Sequence, residues 1–264
     1  MSLIPISPAI EPTAALPPCG DCRDGEPLGF TFSYAFQPII DLRAGSIFAH
    51  EALVRGTAGA GALSVLAQVN DTNRYRFDQA CRVKAIEVAA RLGMRSRLSI
   101  NFLPNAIYRP EVCIRTTLQA ARQFGFPVDQ IIFETVESER IDDGSWLAKV
   151  FSAYQRIGFM TAIDDFGAGY AGLNLLADFQ PDIVKLDMAL VRGIEQKKAS
   201  RVIVACVVRM CDELGIRVIA EGVETREELA CLQEIGVHLV QGYLFGKPLF
   251  EQCVADIAQV WPVR

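Results

Sequence analysis

The sequence predicts an α/β protein built as a (β/α)8 barrel, modified so that its first strand runs antiparallel to its second. Three observations lead there. The chain has 264 residues, close to the length of one such barrel. From Thr31 onward, short apolar runs with strand character alternate with longer amphipathic stretches, a pattern that calls for a mainly parallel sheet covered by helices. The first two runs, however, are joined only by a turn around Arg43-Ala44-Gly45, which is too brief for a parallel crossover.

Residues 1–30 precede this pattern. They are rich in Pro, Gly and Asp, carry five prolines among the first 18 residues and show no sustained period, so they read as a flexible tail or linker, with residues 31–264 as the barrel. Strands are expected at Phe32–Ile40, Ile47–Val54, Leu98–Phe102, Ile131–Val136, Phe159–Ile163, Ile183–Leu186, Arg217–Ala220 and Leu239–Gln241. Helical patterns fall at Arg74–Leu92, Glu111–Phe124, Trp146–Ile157, Arg201–Leu214, Arg226–Ile235 and Gln252–Val260. Eight such strands close naturally into a TIM-type barrel. The alternative is a doubly wound open sheet, but no Gly-rich phosphate loop follows an early strand.

Composition narrows the partners. With 51% hydrophobic and 22% charged residues, the chain can bury a large core and is not disordered throughout. A net charge of −5 argues against a nucleic-acid polymer, which needs clustered Lys and Arg. An anionic ligand must therefore be held by a few local cations, either side chains or metal ions. No apolar run approaches the roughly 20 residues of a membrane span, the longest being Val202–Val208, so no membrane insertion is expected. The N-terminus lacks a basic stretch followed by an apolar core, which makes the cytoplasm the expected location. Of eight cysteines, Cys19 and Cys22 have CxxC spacing, but no second CxxC or His pair completes a zinc site. The other six lie in helical patterns and read as small apolar residues.

Barrel enzymes assemble their sites at the C-terminal ends of strands, so polar residues interrupting those ends are informative. Glu51 lies in the second strand, Asn101 ends the third and Glu134 the fourth. Asp164 and Asp165 end the fifth, Lys185 and Asp187 the sixth, Glu221 the seventh and Gln241 the eighth. One strand-end acid is usually a turn former or cap, and one strand lysine usually reaches for solvent. Caps, however, have no reason to include Asn101, Lys185 and Gln241 at equivalent places. Carboxylates aimed into one space repel unless cations join them. Period-two alternation puts Glu51, Leu53 and Arg55 on one face, offering a carboxylate to a metal and a guanidinium to a phosphate. Asp164 and Asp165 are adjacent, which a regular strand sends to opposite faces, but Gly167 and Gly169 permit an irregular loop that lets both reach one cluster. The donor set is all oxygen, so Mg2+ or Mn2+ fits best. His50 and His238 are expected to be structural.

At these residues the sequence resembles the EAL family of cyclic di-GMP phosphodiesterases. Glu51-Ala52-Leu53 is the name-giving motif, within Glu-Ala-Leu-Val-Arg, and six more follow in order: Ile100-Asn101, Glu134-Thr135-Val136-Glu137, Asp164-Asp165-Phe166-Gly167, Lys185-Leu186-Asp187, Glu221-Gly222-Val223-Glu224 and Gln241-Gly242. Three common residues alone would mean nothing; the ordered set is specific. Ala168 and Ala171 stand where many relatives carry Thr and Ser, which touches loop anchoring but no metal ligand.

The resemblance implies hydrolysis of cyclic di-GMP to linear 5'-pGpG by a two-metal mechanism. It implies one Mg2+ or Mn2+ held by Glu51, Asn101, Glu134 and Asp164, and a second by Asp164, Asp165 and Glu221. Lys185 and Glu221 would be catalytic, Lys185 orienting the attacking water. Substrate contacts fall to Gln37, Leu53, Arg55 and Gln241, with Arg55 gripping a phosphate, while Glu137 anchors the loop after the fifth strand. The resemblance also implies inhibition by Ca2+ and a homodimer formed beside that loop. Two other readings keep the fold: a catalytically silent module that binds cyclic di-GMP or docks a protein, and a phosphodiesterase for another cyclic nucleotide. Silent modules usually lose acidic motif residues, and none is lost here.

Overall fold

In the computed structural model, which describes residues 28–104, 107, 109–136, 144–168 and 172–261, the chain opens on an antiparallel pair. β1 (Phe32–Asp41) pairs with β2 (Ser46–Gly56) from Phe32 opposite Gly56 to Asp41 opposite Ser46, with a one-residue shift of register between Ile39 and Ile40. The reversal is tight because Asp41 Oδ1 accepts the backbone N–H groups of Arg43 and Ala44, each at 2.9 Å, and Gly45 takes a left-handed φ of 61°. The other expected strands follow as β3 (Arg97–Asn101), β4 (Ile131–Val136), β5 (Met160–Phe166), β6 (Ile183–Leu186), β7 (Arg217–Ala220) and β8 (Leu239–Val240). From β2 to β8, neighbours in sequence pair in parallel. β8 then pairs antiparallel with β1, which closes the sheet into the expected barrel. A short β9 (Leu249–Phe250) pairs with β1 at Ala35 and Phe36, beyond the reach of β8.

Between the strands run α1 (Leu63–Leu66), α2 (Arg74–Arg91), α3 (Pro110–Cys113), α4 (Arg115–Phe124), α5 (Gly144–Ile157), α6 (Gly172–Asp178), α7 (Met188–Val191), α8 (Lys198–Glu213) and α9 (Arg226–Ile235). Alternate strand residues face outward onto these helices and form the larger core. Phe133 of β4, for example, packs on Tyr154 of α5 with ring centroids 4.9 Å apart. Inside the barrel a smaller cluster takes Ile39 from β1, Phe48 and Ala49 from β2, Ile132 from β4, Met160 and Ala162 from β5, Ile183, Ile219 and Leu239. That cluster is an apolar floor.

Three expectations need correction. Gln252–Val260 is not a helix but ends in a single 3-10 turn, Ile257–Gln259. Other partners take its backbone and that just before it: Val254 N–H donates to His50 Nε2 at 3.2 Å, and Glu251 N–H to Tyr34 O at 2.9 Å. The fifth strand does not stop at Ile163 but continues to Phe166. The pattern Glu111–Phe124 divides at Ile114 into α3 and α4. The motif with Cys19 and Cys22 lies outside the described residues, as does nearly all of the expected tail. His50 is structural: Nε2 accepts from Val254, Nδ1 meets Ser96 Oγ at 2.8 Å, and burial holds its pKa down at about 4.

Candidate functional site

Two residues along each strand from the apolar floor stand the polar side chains. Ile132 leads to Glu134, Ala162 to Asp164, Ile183 to Lys185, Ile219 to Glu221 and Leu239 to Gln241. On the reversed β1, Ile39 leads back to Gln37. Period-two geometry therefore sets one polar layer above the floor at the C-terminal mouth, where barrel enzymes place their chemistry.

The members of this layer bond to one another. Gln241 Nε2 donates to Glu51 Oε2 at 2.6 Å and to Gln37 Oε1 at 3.2 Å, while Gln37 Nε2 donates to the carbonyl of Gly246 at 3.1 Å. Asn101 Nδ2 donates to Glu134 Oε1 at 2.9 Å and to Glu51 Oε1 at 3.4 Å. Ser99 Oγ donates to Glu134 Oε2 at 2.7 Å. Ser99 was not among the expected site residues, although its place two residues before Asn101 on an inward face marks it.

Lys185 is 1% exposed, so it does not reach for solvent. Its Nζ lies 2.6 Å from Glu221, 3.0 Å from Asp164, 3.2 Å from Glu134 and 3.8 Å from Glu51. Burial opposes the ammonium charge, but Asp164, Glu134, Glu221 and Glu51 outweigh it and raise its pKa well above the ordinary lysine value. Burial pushes Glu134 up to about 8 against the pull of Lys185, with Glu51 and Asp164 adding repulsion. Glu221 is likewise raised well above the usual carboxylate range, again by burial first.

Both aspartates reach this cluster through an irregularity inside β5 rather than in the loop beyond it. The register with β6 shifts between Ile163 and Phe166, and Asp165 takes a left-handed φ of 53°. Oxygens of Glu51, Glu134 and Asp164 lie within 4.8 Å of one another, and so do those of Asp164, Asp165 and Glu221. Asp164 belongs to both groups. One ammonium stands among five carboxylates, four of them within 3.8 Å, an excess of negative charge that suits hard divalent cations with oxygen ligands. Asp187 stands apart, capping α7 by accepting the Ala189 N–H at 2.9 Å.

Above the layer opens a cavity of about 340 Å3, lined by Gln37, Glu51, Leu53, Asp164, Asp165, Glu221 and Gln241. Arg192 and Tyr243 also line it, and sequence reasoning missed both, because neither interrupts a strand end. Arg192 Nη2 donates to Glu224 Oε1 at 2.7 Å. Arg55 does not join this cavity: its Nη1 donates to the carbonyl of Val54 at 2.8 Å, and it lines a neighbouring apolar cavity with Leu53 and Asn101. Glu137 lies outside the described residues.

Residues 29–248 match the EAL domain family. The chain belongs to that family. The EAL domain is 32% identical over 215 residues to the blue light- and temperature-regulated antirepressor BluF of Escherichia coli, covering 81% of this chain and 53% of BluF. It is 34% identical over 158 residues to the cyclic di-GMP phosphodiesterase PdeR of Escherichia coli, covering 60% of this chain and 24% of PdeR. The chain thus spans about half or less of the length of these curated relatives. Among solved structures, a standalone versatile EAL protein of Vibrio cholerae O395 in its c-di-GMP-bound form superposes with a TM-score of 0.83 at 52% identity, covering 86% of this chain and 96% of that one. BlrP1 of Klebsiella pneumoniae, in a manganese and cy-diGMP complex, follows at 0.79 and 38% identity, covering 86% of this chain and 57% of BlrP1.

Proposed function

We propose that this EAL domain hydrolyses one phosphodiester of cyclic di-GMP, with two Mg2+ or Mn2+ ions, to give linear 5'-pGpG. The observation that carries the reading is the pair of carboxylate groups sharing Asp164 at the barrel mouth. Glu51, Asn101, Glu134 and Asp164 would hold one cation, and Asp164, Asp165 and Glu221 the other. When bound, such a pair lowers the pKa of water and neutralises charge on the phosphate and the leaving oxygen.

The chain's own residues supply the rest. Lys185, buried and held cationic, would orient the attacking water by charge and hydrogen bonding. Gln241 and Asn101 restrain the carboxylates, since the Gln241 amide donates to Glu51 and the Asn101 amide donates to both Glu134 and Glu51. Leu53 and Gln37 line the cavity above and would meet the substrate, while Arg55 would leave the Val54 carbonyl to grip a phosphate. Water would add to phosphorus and lose a proton as the P–O3′ bond breaks, and the 3′-oxygen would take up one proton in return, so that one water is consumed and a 3′-hydroxyl is left. The support from comparison is that PdeR is named a cyclic di-GMP phosphodiesterase and that the Vibrio protein is in a c-di-GMP-bound form.

A second reading, a silent module that signals by docking, is favoured by one finding: BluF is named an antirepressor. Against it stands the full set of acidic motif residues. A homodimer is part of the proposal, supported by exposed Leu173 on α6 and Val202 and Ile203 on α8, the helices that follow β5 and β6. No helix among the described residues is long and apolar enough to cross a membrane, and a cytoplasmic location accords with an intracellular nucleotide as substrate. The test is product chromatography after incubation with cyclic di-GMP. We expect pGpG with Mg2+ or Mn2+, none in excess EDTA, and suppression by Ca2+, whose longer bonds and looser geometry suit the site poorly. Full turnover in EDTA refutes the metal reading; intact substrate with every metal favours the silent module.

A further inference from the structure

We infer that the buried Asp78–Arg82 pair of α2 positions Asn101, acting through the backbone of Leu103. The inference rests on the proposed role of Asn101 as a metal ligand. Asp78 and Arg82 are one helical turn apart, 3% and 0% exposed, and Asp78 Oδ2 is paired with Arg82 Nη2. Desolvating two charges at that depth is costly, and apolar residues of like volume usually serve stability as well or better, so packing alone does not account for the pair. The other carboxylate oxygen points to a use. Asp78 Oδ1 accepts the N–H of Leu103 at 3.0 Å.

Leu103 lies two residues past Asn101, where the chain leaves β3. The last sheet-like bond there runs from Phe102 N–H to the carbonyl of Glu134 at 3.0 Å. Beyond it the described backbone pairs with no strand, and the carboxylate of Asp78 fixes it at Leu103 from the helix side. Asn101 is itself exposed, so its bonds to Glu51 and Glu134 depend on where its backbone is held. Arg82 fixes the carboxylate in turn, engaging Oδ2 and leaving Oδ1 free for Leu103. The arrangement corresponds to the outer partners that orient metal ligands elsewhere, whose loss costs roughly 10–100-fold in metal affinity.

Two double variants separate positioning from packing. Asp78→Asn with Arg82→Met removes both charges but keeps an acceptor for Leu103, whereas Asp78→Leu with Arg82→Met removes the acceptor too. Titrated calorimetrically with Mn2+, the first, which loses the Arg82 anchor but keeps the acceptor, should stay within a few-fold of the unsubstituted protein, and the second should bind roughly tenfold more weakly or worse. Equal affinity in all three overturns the inference, and so does an Asn/Met protein as weak as the Leu/Met one. In the unsubstituted protein, saturating Mg2+ should slow hydrogen exchange at the Leu103 amide, because coupling between ligand and loop is reciprocal. Unchanged exchange overturns the inference even where the Leu/Met protein fails to fold. Glu51→Ala separates the role of Asp78 and Arg82 from the proposed metal site: if it too binds Mn2+ normally, the metal site itself is misassigned.

Discussion

Among single residues, Lys185 has the most demanding surroundings, because one ammonium balances four acids within 3.8 Å. Its sequence position suggested the mouth, and its burial shows why: two residues before it, Ile183 belongs to the apolar floor. Lys185→Ala should lower turnover by about a hundredfold or more, the range of a group that orients or exchanges protons in the transition state, while Mn2+ binding by calorimetry persists. A variant that kept its rate and lost only substrate affinity would make Lys185 a clamp. Arg55→Ala should do the opposite, raising KM more than it lowers kcat, and the reverse split would remove Arg55 from substrate contact. Glu51→Ala deletes a carboxylate that both Gln241 and Asn101 address, and turnover should fall about a thousandfold, or about 4 kcal/mol of transition-state stabilisation. Near-normal turnover in a folded Glu51→Ala protein refutes its assignment.

At the scale of elements, the loops after β7 and β8 decide whether Glu221 and Gln241 meet the cluster. Val223 N–H donates to Gln241 O at 3.0 Å, and a Cβ on Gly242 would lie 2.0 Å from the Val223 carbonyl oxygen. Neither backbone can yield cheaply. Gly242→Ala should destabilise by about 2–3 kcal/mol, in the range of overpacking, read as a lower urea midpoint at unchanged slope; a midpoint equal to that of the unsubstituted protein refutes the close approach. This contact is where sequence reading stops. Eight strands and their polar ends were legible because alternation of side chains is a local property. The antiparallel start was legible too, from a turn too short to cross over. The bulge that swings Asp165 alongside Asp164 was expected in the loop and is found inside β5, since a left-handed aspartate leaves no mark in composition. The helix expected at Gln252–Val260 does not form for a tertiary reason, because His50 claims the Val254 N–H and Tyr34 that of Glu251 just before the segment. Arg192 and Tyr243 were invisible because they reach the cavity from elements that carry no periodic signal toward it.

For the whole molecule, the consequence of five carboxylates and one ammonium at the mouth is that the barrel carries repulsion which Lys185 balances only in part. Burial holds Glu134 and Glu221 above their ordinary range, so part of that repulsion is relieved by protons when no cation is present. A divalent cation that binds only the folded barrel stabilises it by mass action, by about 2.7 kcal/mol at a hundred times its Kd. For a chain of 264 residues that corresponds to a rise of roughly 5–10 °C in Tm. Mg2+, Mn2+ and Ca2+ should each raise Tm in a concentration-dependent way, because all three accept oxygen ligands, while only the first two support turnover. The separation matters for choosing between the two functional readings, since thermal shift reports the filled site and product formation reports its geometry. Glu51→Ala should lose most of the shift with its metal ligand, and Arg55→Ala should keep it. If none of the three ions moved Tm at millimolar concentration, the carboxylate layer would not be a metal site, and the phosphodiesterase reading would fall with it. If Mg2+ and Mn2+ raised Tm and yet no pGpG formed, the layer would hold metal without hydrolysis, and the docking module would become the better account.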